Sequence, residues 1–307
     1  MLLIDTHCDT LYMRALEPNA IPSVTPAHLR AGGVSLQVCA LFAGSEGPAG
    51  DPYGKAQAQL QAWHALLAEG LRAVDSPLDA VDGENAVMLS IEGGEIFEED
   101  IARVQAFREA GVRLAALTWN NENAIASPAK DGSTQGIKPF GWEVLGEMAR
   151  LGMAADVSHL NERGFWDLIE RHTQPPMASH SCCAALHPHF RNLTDDQIRA
   201  LAARGGWMGI NFYPAFLTAQ PEATTADIVR HIDHVAQLGA LAHVGFGSDF
   251  DGISCTPTDA RHPGDFPAIL DALRARGYDE EALRGIAGEN FLRYFKRIEP
   301  ACDVRAK

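Results

Sequence analysis

Eight short apolar runs, separated by longer amphipathic stretches, constrain the fold of this chain more than any other feature. They are Leu2–His7, Leu36–Phe42, Ala86–Glu92, Arg113–Trp119, Met153–His159, Pro176–His180, Trp207–Phe212 and Val244–Asp249. Several are continuous in Val, Ile or Leu, as strands covered on both faces are. Between them, apolar residues recur with helical spacing over Tyr53–Leu71, Glu99–Ala110, Trp142–Leu151, Glu162–His172, Asp195–Ala203, Ala226–Leu238 and Phe266–Arg276, with a last helix over about Glu280–Lys296. Thr194 followed three residues later by Gln197 reads as a capping box. Gly152, Gly205, Gly239 and Gly277 stand where a left-handed helix cap is expected. Eight strand–helix units in 307 residues predict a single (β/α)8 TIM-type barrel domain over residues 1–307. The alternative is an open doubly wound sheet. The barrel is preferred because His7, Asp9, Glu92, His159, His180, Asn211 and Asp249 all close their runs. In a barrel, those strand ends share one mouth; in an open sheet they would be spread along an edge.

Composition narrows the function. A hydrophobic content of 46% with 21% charged residues is that of an ordinary globular protein. A formal net charge of -15 argues against nucleic acid as a partner, because phosphates need a basic face. The six cysteines (Cys8, Cys39, Cys182, Cys183, Cys255 and Cys302) form no C-x-x-C pair and read as reduced thiols of a cytoplasmic protein. No apolar run approaches the ~20 residues that span a bilayer, so no membrane contact is expected. The first motif begins at Asp5, which leaves no room for a signal peptide in this sequence. The stretches 44–54 and 120–139 follow predicted strands and are candidate loops or lids over the mouth.

The chemistry is carried by a constellation. In Asp5-Thr6-His7-Cys8-Asp9, period two puts His7 and Asp9 on one side of a strand end. Glu92, His159 and His180 close three further strands. Three imidazoles and two carboxylates fit a two-metal site with a shared carboxylate, and zinc suits such mixed nitrogen and oxygen ligation. Two such ions can hold a bridging hydroxide at neutral pH. Asp249, closing the last strand, is placed to take a proton from the attacking water and pass it to a leaving nitrogen. Asp251-Gly252 reads as a turn. Histidines 28, 64, 172, 231, 234 and 262 lie in helical or loop contexts and read as solvated or structural. No phosphate loop, G-x-S-x-G elbow or H-E-x-x-H helix is present.

These pieces, in order along the chain, resemble the membrane (renal-type) dipeptidase family. The resembling segments are Asp5-Thr6-His7-Cys8-Asp9, Ile91-Glu92-Gly93-Gly94, Asp156-Val157-Ser158-His159, Ser179-His180-Ser181, Arg191-Asn192-Leu193-Thr194-Asp195-Asp196, Asn211-Phe212-Tyr213, the run from Gly245 to Gly252, and Gly288-Glu289-Asn290-Phe291-Leu292-Arg293. The resemblance implies a metallo-dipeptidase with two zinc ions, one held by His7 and Asp9, the other by His159 and His180, bridged by Glu92. It implies Asp249 as the acid/base, Arg191 on the free carboxylate of a small dipeptide substrate, Tyr213 assisting there, and a homodimer. Dipeptides with a D-residue at the C-terminal position are expected substrates. One departure stands out: Leu117-Thr118 is followed by Trp119 where animal members carry a carbonyl-polarising His. That task would fall to the metals, or to Asn120 or Asn123. Two rival readings remain at this stage, another metal-dependent amidohydrolase acting on a lactam or cyclic amide, and a catalytically silent metal-binding barrel.

Overall fold

The computed structural model describes residues 1–17, 19–44 and 51–299. Residues 45–50 of the first predicted mouth loop, and Cys302, lie outside the described residues. Eight parallel strands form a closed ring in chain order: β1 (Ile4–Asp5), β2 (Leu36–Phe42), β3 (Ala86–Glu92), β4 (Val112–Ala116), β5 (Ala154–Asp156), β6 (Met177–Ser181), β7 (Trp207–Ile210) and β8 (Val244–Phe246). β1 pairs with β2 (Ile4 with Leu36) and with β8 (Asp5 with Phe246), which closes the ring. A two-residue strand, Arg72–Ala73, adds to the start of β3, before β4 begins to pair at Leu89.

Period-two alternation explains what each strand face does. In β3, Val87, Leu89 and Ile91 join the large apolar cluster shared with the surrounding helices, which includes Val104, Val144, Leu168, Ile232 and Ile269. Ala86 and Met88 join a second cluster inside the barrel, with Ile4, Leu36, Leu114, Ala154, Met177 and Trp207. Phe291, Tyr294 and Phe295 of the last helix complete that cluster and seal the end where the strands start. The interior positions further along β3 are Ser90 and Glu92, so the barrel turns polar toward its other end.

The predicted runs overshoot the strands. Met153–His159 contains only Ala154–Asp156 as strand, because the chain enters a turn at residues 158–159, closed by Leu160 N donating to Val157 O. Two helices between β1 and β2, Thr10–Leu16 and Pro26–Gly32, were not expected from apolar spacing. The last helix is not continuous either. Glu280–Arg284 passes through a π-helical turn, Gly285–Glu289, into Asn290–Phe295. Two contacts account for that turn. Gly288 lies so close to Leu2 and Ile4 that a Cβ would meet them at 2.9–3.0 Å, and the Asn290 amide donates to Leu241 O and Val244 O, both at 2.8 Å. The Thr194–Gln197 capping box forms as predicted, and Gly152, Gly205, Gly239 and Gly277 all have positive φ.

Candidate active site

At the mouth of the barrel the side chains of His7, Asp9, Glu92, His159, His180 and Asp249 converge, each 8% exposed or less. Two of them sit on unusual backbone. His159 and Asp249 both have φ of 66°, a left-handed conformation that non-glycine residues adopt at a cost of about 1–3 kcal/mol and that concentrates at functional sites. The turn after β8 is tight as well. A Cβ on Gly252 would collide with the carboxylates of Asp9 and Asp249, so only glycine lets the backbone pass there. Asp251, read as a turn residue, has φ of 68°, and its carboxylate accepts from Ser23 N and Oγ and from Val24 N.

Glu92 stands between two groups of imidazoles. Its Oε1 lies 2.8 Å from His159 Nε2 and 3.3 Å from His180 Nε2, while Oε2 lies 3.7 Å from His7 Nε2. His7 Nε2 is also 3.2 Å from Asp9 Oδ2 and 3.6 Å from Asp249 Oδ1. The His7 and His180 rings stack at 3.8 Å. Burial alone would lower the pKa of His7, but Asp9 and Glu92 overcome it and raise it well above the ordinary value. Burial also works to raise Glu92, and there the charge of His7 wins and holds it well below the usual carboxylate range. Burial, with Arg191 as a second cause, lowers His159 to about 4, and burial with His7 lowers His180 well below its ordinary value. Burial raises Asp9 well above its ordinary value and Asp249 to about 6.

The hydrogen-bond directions test whether these residues suit a cation. His159 Nδ1 faces Asn120 Oδ1 at 3.1 Å, an acceptor, so Nδ1 carries the proton. Ser179 Oγ donates to Asp156 Oδ2 and therefore accepts from His180 Nδ1 at 2.7 Å. Both Nε2 atoms are then bare lone pairs, 3.1 Å apart, and both face the same carboxylate oxygen. Three acceptors turned on one point repel one another unless a positive ion sits among them. Asp9 Oδ1 is buried without a hydrogen-bond partner, a further acceptor in want of a cation. The donor atoms of His7, Glu92 and His180 lie within 4.8 Å of one another, as do those of His7, Asp9 and Asp249. The residues present therefore fit a metal.

Above the cluster lies a cavity of about 580 Å³, bordered by Asp9, Glu92, His159 and Asp249 and by the predicted Trp119, Asn120 and Tyr213. Of the stretch 120–139, only Asn120 borders it; Asn123 is pinned to Leu117 O, Ile125 N and Ala126 N. Arg191 does not line the cavity. Its guanidinium is buried beside the cluster, donates to His180 O at 3.1 Å and lies 5.5 Å from the Phe216 ring. It has no carboxylate partner among the described residues, and its Nε is unsatisfied. Asp5 sits behind the site, accepting from Ser248 N, Ser248 Oγ and Gln37 Nε2. Two residues that orient the cluster have no role assigned from the sequence: Asn211, placed there only at a strand end, and Ser179. Asn211 Nδ2 donates to Asp249 Oδ2 at 2.8 Å, and Ser179 ties His180 to Asp156. Tyr12, Phe42, Glu17, Ile253 and Ser254 also line the cavity. Phe42 is the only one with a sequence signal, as the last residue of a predicted strand.

Among the described residues, no helix is long and apolar enough to cross a membrane. A family model described as membrane dipeptidase (peptidase family M19) matches residues 1–306. An uncharacterized protein from the pqqA 5' region of Klebsiella pneumoniae is 35% identical over 266 residues, covering 81% of this chain and 98% of that protein. An uncharacterized dipeptidase of Schizosaccharomyces pombe is 35% identical over 216 residues, covering 69% of this chain and 53% of that protein, so this chain matches only about half of that relative. Among solved structures, a dipeptidase described as a metallo peptidase of family M19 superposes with a TM-score of 0.88 at 24% identity, covering 98% of this chain and 99% of the other. A metallo peptidase from Rhodobacter sphaeroides, liganded with a phosphinate mimic of the dipeptide L-Ala-D-Ala, superposes with a TM-score of 0.87 at 23% identity, covering 97% and 99%.

Proposed function

The chain belongs to the membrane dipeptidase family, peptidase family M19, and we propose that it is a zinc-dependent dipeptidase whose substrates include L-D dipeptides. Residues 1–307 would work as one domain, in the cytoplasm. The five described cysteines, all free, support that compartment. His7 and Asp9 would hold one ion, His159 and His180 a second, with Glu92 between them. When bound, the ions supply Lewis acidity, which polarises the scissile carbonyl and brings the pKa of an attacking water toward ~7.

The chain's own groups do the rest. Asp249, steadied by Asn211, takes the proton from the attacking water and delivers it to the departing amide nitrogen. Arg191, a buried guanidinium beside the cluster with no carboxylate partner among the described residues, would supply the positive charge that attracts the substrate's free carboxylate. Trp119, Asn120 and Tyr213 border the bound dipeptide, and Asn120 holds the His159 tautomer. The L-Ala-D-Ala mimic bound by the Rhodobacter sphaeroides neighbour supports counting L-D dipeptides among the substrates.

One observation carries the reading: two unprotonated Nε2 atoms and a carboxylate oxygen turned on one point at 2.8–3.3 Å. The test combines metal analysis with a panel of L-L and L-D dipeptides. Zinc should co-purify, and hydrolysis should require it. Asp249→Asn should lower kcat by about 10²–10⁴ while zinc content persists. Full activity in that variant would overturn the mechanism, and no hydrolysis by zinc-loaded protein would overturn the dipeptidase reading.

A further inference from the structure

Aromatic rings line both walls of the cavity: Tyr213 and Phe216 pair edge-on at 4.9 Å on one, and Tyr12, Phe42 and Trp119 stand on the other. On the side built by the segments after β7 and β8, the Tyr213 hydroxyl is hydrogen-bonded to Ser254 Oγ at 3.1 Å, and Phe216 carries the Arg191 guanidinium. The opposite wall, from the segments at the ends of β1, β2 and β4, holds three rings beside Glu17, Gly44 and Asn120. Tyr12 and Phe42 have ring centroids 5.1 Å apart, and Phe42 meets Trp119 edge-on at 5.0 Å. Trp119 lies 6.2 Å from the His159 ring. A row of three rings thus runs from His159 through Trp119 and Phe42 to Tyr12. All three rings line the cavity and are only partly buried.

The wall is rigid. Gln59, itself buried, clamps both backbone groups of Phe42, accepting from its N–H at 2.8 Å and donating to its carbonyl at 2.7 Å. Tyr12, tilted against Phe42, and Trp119, edge-on to it, leave ring surfaces against which a further flat ring fits with an offset face or an edge. Beyond the residues that would hold metal, the lining carries Glu17, Asp249 and Asp251 but no Lys or Arg, so an acidic side chain finds no partner there.

We propose that Tyr12, Phe42 and Trp119 form the subsite for the side chain of the substrate's amino-terminal residue, and that it selects a large aromatic one. The inference rests on the dipeptidase reading. Arg191, in the loop after β6, draws the carboxyl-terminal residue to one side of the cluster and leaves the amino-terminal residue against the wall of three rings.

The experiment measures kcat/KM of the zinc-loaded protein on dipeptides ending in alanine, with Gly, Ala, Leu, Glu, Phe or Trp first, for the parent, Phe42→Ala and Tyr12→Ala. Phe-Ala and Trp-Ala should exceed Ala-Ala by about tenfold or more, with Glu-Ala the poorest. Either substitution should bring the Phe-Ala to Ala-Ala ratio toward one. Because the ratio is taken within one preparation, partial misfolding of a variant cancels. Hydrolysis with equal rates on Phe-Ala and Ala-Ala, or a ratio unmoved by Phe42→Ala, overturns the subsite alone. Hydrolysis of nothing in the panel overturns the dipeptidase reading and the subsite with it.

Discussion

His180 depends on a neighbour that never reaches the cavity. Its Nδ1 proton goes to Ser179 Oγ, which spends its own proton on Asp156, and Asp156 also accepts from the backbone N–H groups of Ser158 and Ser179. The chain of bonds fixes which imidazole nitrogen is bare and where it points. Groups behind a metal-binding histidine commonly set metal affinity in this way. Ser179→Ala removes one hydroxyl and leaves the strand intact. It is expected to weaken zinc binding by about 10- to 100-fold, read by competition with a chromophoric chelator, with little change in thermal stability of the metal-free protein. Unchanged affinity would mean that packing alone holds the ring.

At the scale of elements, the helix Thr225–Gln237 is fastened to the mouth by His231. Its Nδ1 accepts from Cys183 N at 3.0 Å in the loop after β6, and its Nε2 donates to Leu217 O at 2.9 Å at the end of the short helix Pro214–Leu217. Those bonds require the neutral ring, and burial lowers the His231 pKa to about 4. In the unfolded chain the ring takes a proton near its ordinary 6.5. The contribution to stability is therefore complete above about pH 6.5 and is lost as pH falls toward 4, on the order of 3 kcal/mol. His172, lowered to about 4 by burial and then by Arg204, acts in the same direction. Urea unfolding between pH 7.5 and 4.5 should show the decline, and His231→Leu should be less stable at pH 7.5 but flatter with pH. An unaltered acid slope in that variant would remove His231 from the account.

The whole molecule separates its tasks between the two ends of the barrel. The strand starts are apolar and sealed by Phe291, Tyr294 and Phe295, whereas the strand ends carry the carboxylates and imidazoles. Phe295→Ala should cost about 3–5 kcal/mol of stability while leaving kcat of the folded fraction within about twofold. A large fall in kcat would show that the two ends are coupled. The polar end carries the opposite debt, since Asp9, Glu92 and Asp249 all crowd His7. Stripping the metal with a chelator should lower the melting temperature, and added zinc should restore it, by about 4 kcal/mol at a thousandfold excess over Kd. A melting curve indifferent to zinc would argue that the cluster binds no ion.

The eight runs, the cap signals and the clustering of His, Asp and Glu at run ends are local properties, written in period, spacing and residue type. They were enough to derive the ring of strands and to name the six residues that meet at its mouth. What they could not carry is anything that depends on residues far apart in sequence. The π turn at Gly285–Glu289 exists because Gly288 must pass against Leu2 and Ile4, and no local pattern records that approach. The tautomer of His180 depends on Asp156, and Asp249 is steadied by Asn211, 38 residues away. The wall of three rings is assembled from Tyr12, Phe42 and Trp119, which lie on three different segments and become neighbours only when the barrel closes. The sequence by itself determined the periodicity that closes a barrel and the residue types that seek a metal. Only the tertiary structure decided which nitrogen is bare, which oxygen lacks a partner and which side chains wall the cavity, because those depend on three-dimensional proximity rather than on order along the chain.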